Sequence, residues 1–344
     1  MPVRLNAGSS SHDRRKTGRH PPDETLEQTS RCITIGLINN MPDSAFKATE
    51  RQFASLLNAA SAGISVRLSL YSLPGVPRTE AHQKGYEGLE TLWNSHLDGL
   101  IVTGREPISA DLRDEPYWES FTQVLEWARE NTHSTVWSCL AAHAAVLHMD
   151  GIGRRKSDEK RFGVFECASV ASHPLTAETP SRFNVPHSRW NGVAEEEMTA
   201  RGYRVLTSFA DGEVDTFVKQ EESLFVFFQG HPEYESDTLM REYRRDAGRY
   251  LRHEANKYPS IPHGYFDPGT ERVLNALREK AMSSRSREMY ADVVAALEKT
   301  RVKNTWRETA AHIYRNWLEY ICERKSIGRR DSDVRAASSV QGPA

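Results

Sequence analysis

Two short fragments hold the residues best suited to chemistry: Trp137-Ser138-Cys139-Leu140-Ala141-Ala142-His143 and Gln229-Gly230-His231-Pro232-Glu233. Cys139 ends a short apolar run, Ser134 to Trp137, and opens an alanine-rich stretch of helical character. A strand-to-helix turn of that kind exposes a thiol at a helix N-terminus, where the dipole favours the thiolate. The second fragment closes another apolar run, Leu224 to Phe228, and sets His231 and Glu233 two residues apart. In extended chain such a pair projects to one side. A Cys, a His and a Glu at the carboxyl ends of two strands make a nucleophile, a base and an orienter for that base. Taken singly, Cys139 reads as a small buried apolar residue and His231 as a satisfied core group. Taken together they favour covalent catalysis.

Holding these residues requires strands that end side by side, and the chain alternates strand and helix signals. Cys32 to Ile38, Ile64 to Tyr71, Gly99 to Thr103, Thr135 to Ser138 and Leu224 to Phe228 read as strands. Lys47 to Ala60, Tyr117 to Glu130, Leu140 to His148 and Asp237 to Tyr250 read as helices. Near-continuous apolar strands between helices predict an α/β fold: a mostly parallel sheet flanked by helices, with extra C-terminal helices. Residues between His148 and Leu224 read as irregular. Arg272 to Lys299 looks helical and charged, and Trp306 to Glu323 is strongly amphipathic, with an apolar face open to a partner in a homodimer. The expected organisation is a tail over 1–30, polar and disordered, a single domain over 31–325 and a second disordered tail over 326–344.

The 344 residues suffice for one large domain, and 38% hydrophobic with 27% charged content describes a globular protein. A formal net charge of −2 gives no case for a nucleic-acid partner. No apolar run is long enough to span a membrane, and the N-terminal stretch lacks an apolar signal core, which points to the cytoplasm. Four cysteines (Cys32, Cys139, Cys167, Cys322) are too scattered for a disulfide framework or a zinc site. Cys32 and Cys322 read as buried packing residues. No metal or bound cofactor is expected.

From about Ile33 to Glu323 the chain resembles the homoserine O-acyltransferases of the methionine pathway, typified by the O-succinyltransferases, which share the class I glutamine amidotransferase fold (flavodoxin-like). The resemblance rests on Asn40-Met41-Pro42, Gly99-Leu-Ile-Val-Thr-Gly104, Tyr117-Trp118, Val124-Leu-Glu-Trp127, Glu159-Lys160, Gly163-Val164, Pro186-His187-Ser188-Arg189, Gly230-His-Pro-Glu-Tyr234 and Asn316-Trp317-Leu318, in order. It implies ping-pong transfer. Cys139 takes an acyl group from acyl-CoA, a co-substrate, and His231, oriented by Glu233, activates the hydroxyl of homoserine or a related amino acid. Backbone N–H groups of Leu140 and of Gly104-Arg105 are the expected donors to the tetrahedral oxyanion, each worth roughly 3–4 kcal/mol in known cases. By the same match Glu242 and Arg245 bind the amino acid, their charges suiting an ammonium and a carboxylate, and Lys160 and Ser188 belong to the substrate site. The bland reading of Glu242 and Arg245 is a solvated helix face. His143, His187 and Cys167 lie near these motifs and carry no assigned chemistry. A basic run, Arg154-Arg155-Lys156, reads as a solvated loop.

The chain departs from the family at several points. Asn40-Met41-Pro42 is followed by Asp43-Ser44-Ala45-Phe46-Lys47, two residues longer than the family pattern, so that Lys47 is a candidate substitute, out of register, for the lysine implicated in acyl-CoA binding in the better-known members. The family's Thr-Gly-Ala-Pro becomes Thr103-Gly104-Arg105-Glu106-Pro107-Ile108, which puts Ile108 at the position that decides between succinyl and acetyl. Ile108 would crowd a succinyl tail, while Arg105 offers its carboxylate a partner, so the acyl group stays open. The segment 269–304 is longer than the family pattern and adds a charged helix. A homoserine or serine O-acetyltransferase, a glutamine amidohydrolase using the same three residues, and a non-catalytic binding module are the competing readings. A glutaminase of this fold usually has Gly two residues after its cysteine, where this chain has Ala141.

Overall fold

The computed structural model describes residues 3–5, 31–80 and 84–340. The expectation of a disordered tail over 1–30 mostly lies outside the described residues; within it, Val3–Leu5 forms a short strand, β1, rather than unstructured chain. The remaining strands are β2 (Cys32–Ile38), β3 (Ser65–Tyr71), β4 (Gly99–Thr103), β5 (Ser134–Ser138), β6 (Arg155–Ser169), β7 (Arg182–Gly192), β8 (Arg204–Phe209), β9 (Val214–Gln220) and β10 (Leu224–Phe228). Helices are α1 (Asp43–Ala60), α2 (Leu89–Trp93), α3 (Trp118–Asn131), α4 (Leu140–Asp150), α5 (Glu195–Ala200), α6 (Thr238–Leu251), α7 (Pro268–Ser283), α8 (Met289–Glu298) and α9 (Arg307–Val340).

One sheet carries the fold, in the order β1-β3-β2-β4-β5-β10-β9-β8-β6-β7. From β1 to β10 the pairings are parallel; from β10 to β7 they are antiparallel. The expected mostly parallel sheet with flanking helices is therefore present, with an antiparallel wing in the region read as irregular. The parallel strands are apolar on both faces because both faces are covered. On one side Ile33, Ile35 and Leu37 pack with Phe53 and Leu57 of α1 and Trp317, Leu318 and Ile321 of α9. On the other, Leu100, Val102, Trp137 and Phe225 pack with Phe121, Val124 and Leu125 of α3 and Ala142 and Ala145 of α4.

Three expectations need correction. The apolar face of the C-terminal helix is buried within this chain against α1 and the sheet, so it is not free for a dimer partner. That helix also continues to Val340, through most of the segment read as a disordered tail. Residues 326–340 contain one glycine and no proline, and extending an existing helix costs far less than nucleating one. Segment 269–304 forms two helices instead of one. α7 ends at Ser283 and α8 begins at Met289, while Arg285 in between donates to the carbonyls of Tyr250 and Ala255. Both helices bury their apolar faces in a third cluster with α6 and Trp306.

Register decides where chemistry can occur. Ser138 pairs with Thr103 on one side and Phe228 on the other, so β4, β5 and β10 end at one level. The chain segments leaving these three strands meet in one crevice, which is where open α/β sheets place their sites.

Candidate active site

Cys139 leaves β5 with φ 53° and ψ −113°, a conformation that costs a non-glycine residue of order 1–3 kcal/mol and persists only where the surroundings enforce it. Here they do: its N–H donates to the Phe228 carbonyl at 2.7 Å, and its carbonyl accepts from the N–H of Ala142 at 3.0 Å. The turn lifts the thiol clear of the sheet at the first turn of α4. N–H groups at that end have no partner inside the helix. Residue 104 sits against them: a Cβ built on Gly104 would lie 2.6 Å from the Leu140 nitrogen, so any side chain there would cover the donor. The Gly104 N–H itself donates to the Ser138 carbonyl at 3.1 Å. That removes Gly104 from the donors expected from the sequence, with Leu140 and Arg105 left as the candidates.

His231 follows β10 directly, and its Nδ1 lies 2.8 Å from Glu233 Oε1. Burial works against the imidazolium, but the Glu233 and Cys139 charges and hydrogen bonds outweigh it and hold the His231 pKa well above its ordinary value. Cys139, His231 and Glu233 thus form one coupled group. Strand β7 braces it from beside: the His231 N–H donates to the Pro186 carbonyl at 2.9 Å. Gly230 has to be glycine, because a Cβ there would lie 2.7 Å from His187 Nε2. Tyr234 stacks on His231, ring centroids 4.2 Å apart and planes 15° from parallel.

Beyond Tyr234 a polar cluster gathers the residues picked out by family resemblance. Glu242 on α6 accepts from Tyr234 Oη at 2.6 Å with one oxygen and from Ser188 Oγ at 2.6 Å with the other. Lys160 Nζ on β6 lies 3.8 Å from Glu242 and 4.0 Å from Asp246, and 4.4 Å above the Phe162 ring. The Arg245 guanidinium is held by its neighbour Asp246, Nε to Oδ1 at 2.8 Å and Nη2 to Oδ2 at 3.1 Å. Burial opposes its charge, and the Asp246, Glu242 and Glu106 carboxylates overcome that to raise its pKa. Glu106 belongs to the loop after β4, so this polar cluster and the loop carrying Arg105 and Ile108 face one another. Arg105 is half-buried, and its Nε has no hydrogen-bond partner among the described residues. Ile108 is 68% exposed, and its N–H and that of Ser109 are fixed by the buried Glu115 carboxylate at 2.6 and 2.7 Å.

Asn40-Met41-Pro42 reaches the same crevice, since Asn40 binds both the carbonyl and the hydroxyl of Thr103. Arg78 stitches this loop by donating to the carbonyls of Asn39 and Met41. Lys47 instead turns to Glu50 at 2.8 Å on the surface of α1. Of the basic run, Arg155 pairs with Glu197 at 2.6 Å and Arg154 with the Ala110 carbonyl at 2.8 Å. Cys167 and Cys322 are buried and Cys32 is half-buried. Sequence reasoning missed Tyr234, Asp246 and Trp306, whose Nε1 donates to the Tyr234 carbonyl at 2.9 Å. Tyr234 and Asp246 each adjoin a residue already singled out, which was the signal available.

The comparisons with known proteins agree with the resemblance. Residues 19–327 match the family model described as homoserine O-succinyltransferase. The homoserine O-succinyltransferase of Rhodopseudomonas palustris is 45% identical over 86% of this chain and 90% of its own length. That of Methylorubrum extorquens is 44% identical over 88% and 91%. Among solved structures, a glutamine amidotransferase from Methylobacillus Flagellatus superposes with a TM-score of 0.48 at 13% identity, covering 84% of this chain and 95% of that one. A family match over most of the chain, with relatives 45% and 44% identical over nine-tenths of their own length, leaves one assignment: the chain belongs to the homoserine O-succinyltransferase family.

Proposed function

We propose that this protein is an acyl-CoA-dependent O-acyltransferase that moves a succinyl group from succinyl-CoA to the hydroxyl of homoserine through an acyl-enzyme on Cys139. The observation that carries this reading is the coupled Cys139–His231–Glu233 group standing beside the Glu242–Ser188–Lys160–Arg245 cluster, a nucleophile next to a site for an amino acid. In the first half-reaction Cys139 Sγ, its proton on His231, attacks the thioester carbon. The tetrahedral oxyanion takes the N–H of Leu140 and of Arg105, CoA leaves as the thiol with the proton from His231, and a thioester to Cys139 remains. Acylation removes the negative sulfur that helped keep the imidazole protonated. His231 is then the neutral base that the second half-reaction needs, and removes the homoserine hydroxyl proton as oxygen attacks the acyl carbon; the C–S bond then breaks, releasing the ester and returning the Cys139 sulfur with the proton on His231. Glu233 keeps the reactive nitrogen, Nε2, turned toward the reacting atoms.

For the acceptor, Glu242 suits the ammonium, and the Arg245 fork suits the carboxylate once Asp246 yields it. For the donor, Arg105 supplies the cation that the free carboxylate of a succinyl tail requires, with Ile108 at the outer rim. No helix among the described residues is long and apolar enough to cross a membrane, and a free-thiol nucleophile using acyl-CoA suits the reducing cytoplasm. Intact-mass measurement after mixing protein with succinyl-CoA tests the reading. A succinyl gain on Cys139 that homoserine discharges is expected. Ammonia release from glutamine with no acyl gain would overturn it in favour of an amidohydrolase, and an acetyl gain with no succinyl gain would remove the Arg105 assignment.

A further inference from the structure

His231 has a third constraint besides Glu233 at its imidazole and the Pro186 carbonyl at its backbone N–H: the face of its ring lies on the Tyr234 ring. Tyr234 is itself fixed at three points. Its N–H donates to the His231 carbonyl at 3.1 Å, its carbonyl accepts from Trp306 Nε1 at 2.9 Å, and its hydroxyl donates to Glu242 at 2.6 Å. Trp306 is buried in the cluster formed by α6, α7 and α8, so the ring is anchored to the helices that flank the acceptor cluster. Both oxygens of Glu242 already carry a donor, Tyr234 on one and Ser188 on the other.

We propose that Tyr234 is a positioning residue that registers the base against the acceptor: its ring sets the plane of His231, and its hydroxyl ties that plane to the carboxylate that receives the acceptor's ammonium. The inference rests on the acyl-transfer reading of the site. Burial, then the Glu242 and Glu233 charges and Cys139, push the phenol well above its usual range. The hydroxyl therefore keeps its proton for Glu242, and Tyr234 is not itself a base. Hydrogen bonds to charged groups are the stronger kind, so loss of the hydroxyl should be felt where Glu242 acts, in the transfer half-reaction. Loss of the ring should be felt wherever the imidazole acts, in both halves.

Rapid-quench intact-mass kinetics with succinyl-CoA, followed by discharge with homoserine, separate the two halves in wild type, Tyr234→Phe and Tyr234→Leu, each checked for folding by thermal melt. Tyr234→Phe should lose about tenfold more in the kcat/KM of discharge than in the rate of acylation. Tyr234→Leu should slow both halves and move the pH midpoint of acylation, which simple loss of packing would leave in place. Equal losses in the two halves for Tyr234→Phe, or none in either, overturn the inference while leaving acyl transfer intact. A Tyr234→Leu enzyme with an unmoved midpoint overturns the ring's part. Wild type that gains no mass overturns the acyl-transfer reading, and this inference with it.

Discussion

His231 and His187 each face a carboxylate at hydrogen-bond distance, Glu233 at 2.8 Å and Asp215 at 3.1 Å, yet their basicities move in opposite directions. His187 and Asp215 are 0% and 1% exposed. Burial comes first among the forces on His187, and the guanidinium of Arg189 adds to it; against the pull of Asp215 they leave the pKa at about 4. Arg189 Nε donates to His187 Nδ1 at 3.2 Å, so Nε2 carries the proton toward Asp215. For His231 the third partner is a thiol at a helix N-terminus, and the sum is a raised pKa. One pair is a neutral histidine in a finished hydrogen-bond network, with Thr207 and Thr216 also donating to Asp215. The other is poised to take and give a proton. What separates a catalytic His–carboxylate pair from a structural one is the charge of the third neighbour and whether one ring nitrogen is left for a reacting atom.

That contrast breaks hardest at the thiol. Cys139→Ala should lower turnover by about 10⁴-fold or more with no loss of fold, read by product formation and circular dichroism; residual turnover near wild type would end the nucleophile's role. Glu233→Gln should follow, with a fall of about 10²–10⁴-fold in kcat from loss of tautomer control, and a wild-type rate would make Glu233 as structural as Asp215. Asp215→Asn should do the reverse. Weakening the buried hydrogen bonds that His187, Thr207 and Thr216 make to a carboxylate costs about 2–3 kcal/mol of stability, seen in urea unfolding, while the acylation rate of the folded fraction stays close to that of wild type. A stable but inactive Asp215→Asn enzyme would show that both pairs serve the reaction.

The two pairs also differ in how far the chain announces them. Cys139, His231 and Glu233 stand at the ends of apolar runs that read as strands, so sequence alone puts all three on one edge of a sheet. Neighbouring β5 and β10 and their register were not legible, because ninety residues of intervening chain had to fold first. The His187–Asp215 pairing crosses the antiparallel wing, whose strands mix charged and apolar residues; β6 opens Arg-Lys-Ser-Asp-Glu-Lys-Arg and exposes much of that stretch, so it carries no apolar run to read. Glu242, Arg245, Lys160 and Ser188 were marked by the family resemblance alone, and nothing local to them told ligand from solvated face. Asp246 as the partner of Arg245 depends on side-chain rotamers rather than on spacing.

The finest test of the comparison is acid unfolding. As pH falls below about 6.5 the unfolded chain protonates its histidines, whereas buried His187 resists until about 4. The unfolded state then binds more protons, so stability drops across that window, by about 3 kcal/mol from this residue. Fully buried His143, its pKa lowered by burial and then by Arg189 and Arg154 to about 3, adds to the same limb. For His231 the sign is opposite: its raised pKa contributes stability below about 6.5 that is lost as pH rises through the folded value. Urea titrations between pH 4.5 and 6.5 should therefore give a shallower acid slope for His187→Asn than for wild type, although the variant is less stable overall. In titrations carried on above pH 6.5, through the raised folded value, His231→Asn should keep the acid slope and flatten the alkaline one. Identical slopes in all three proteins would mean that the two histidines differ in position and not in charge.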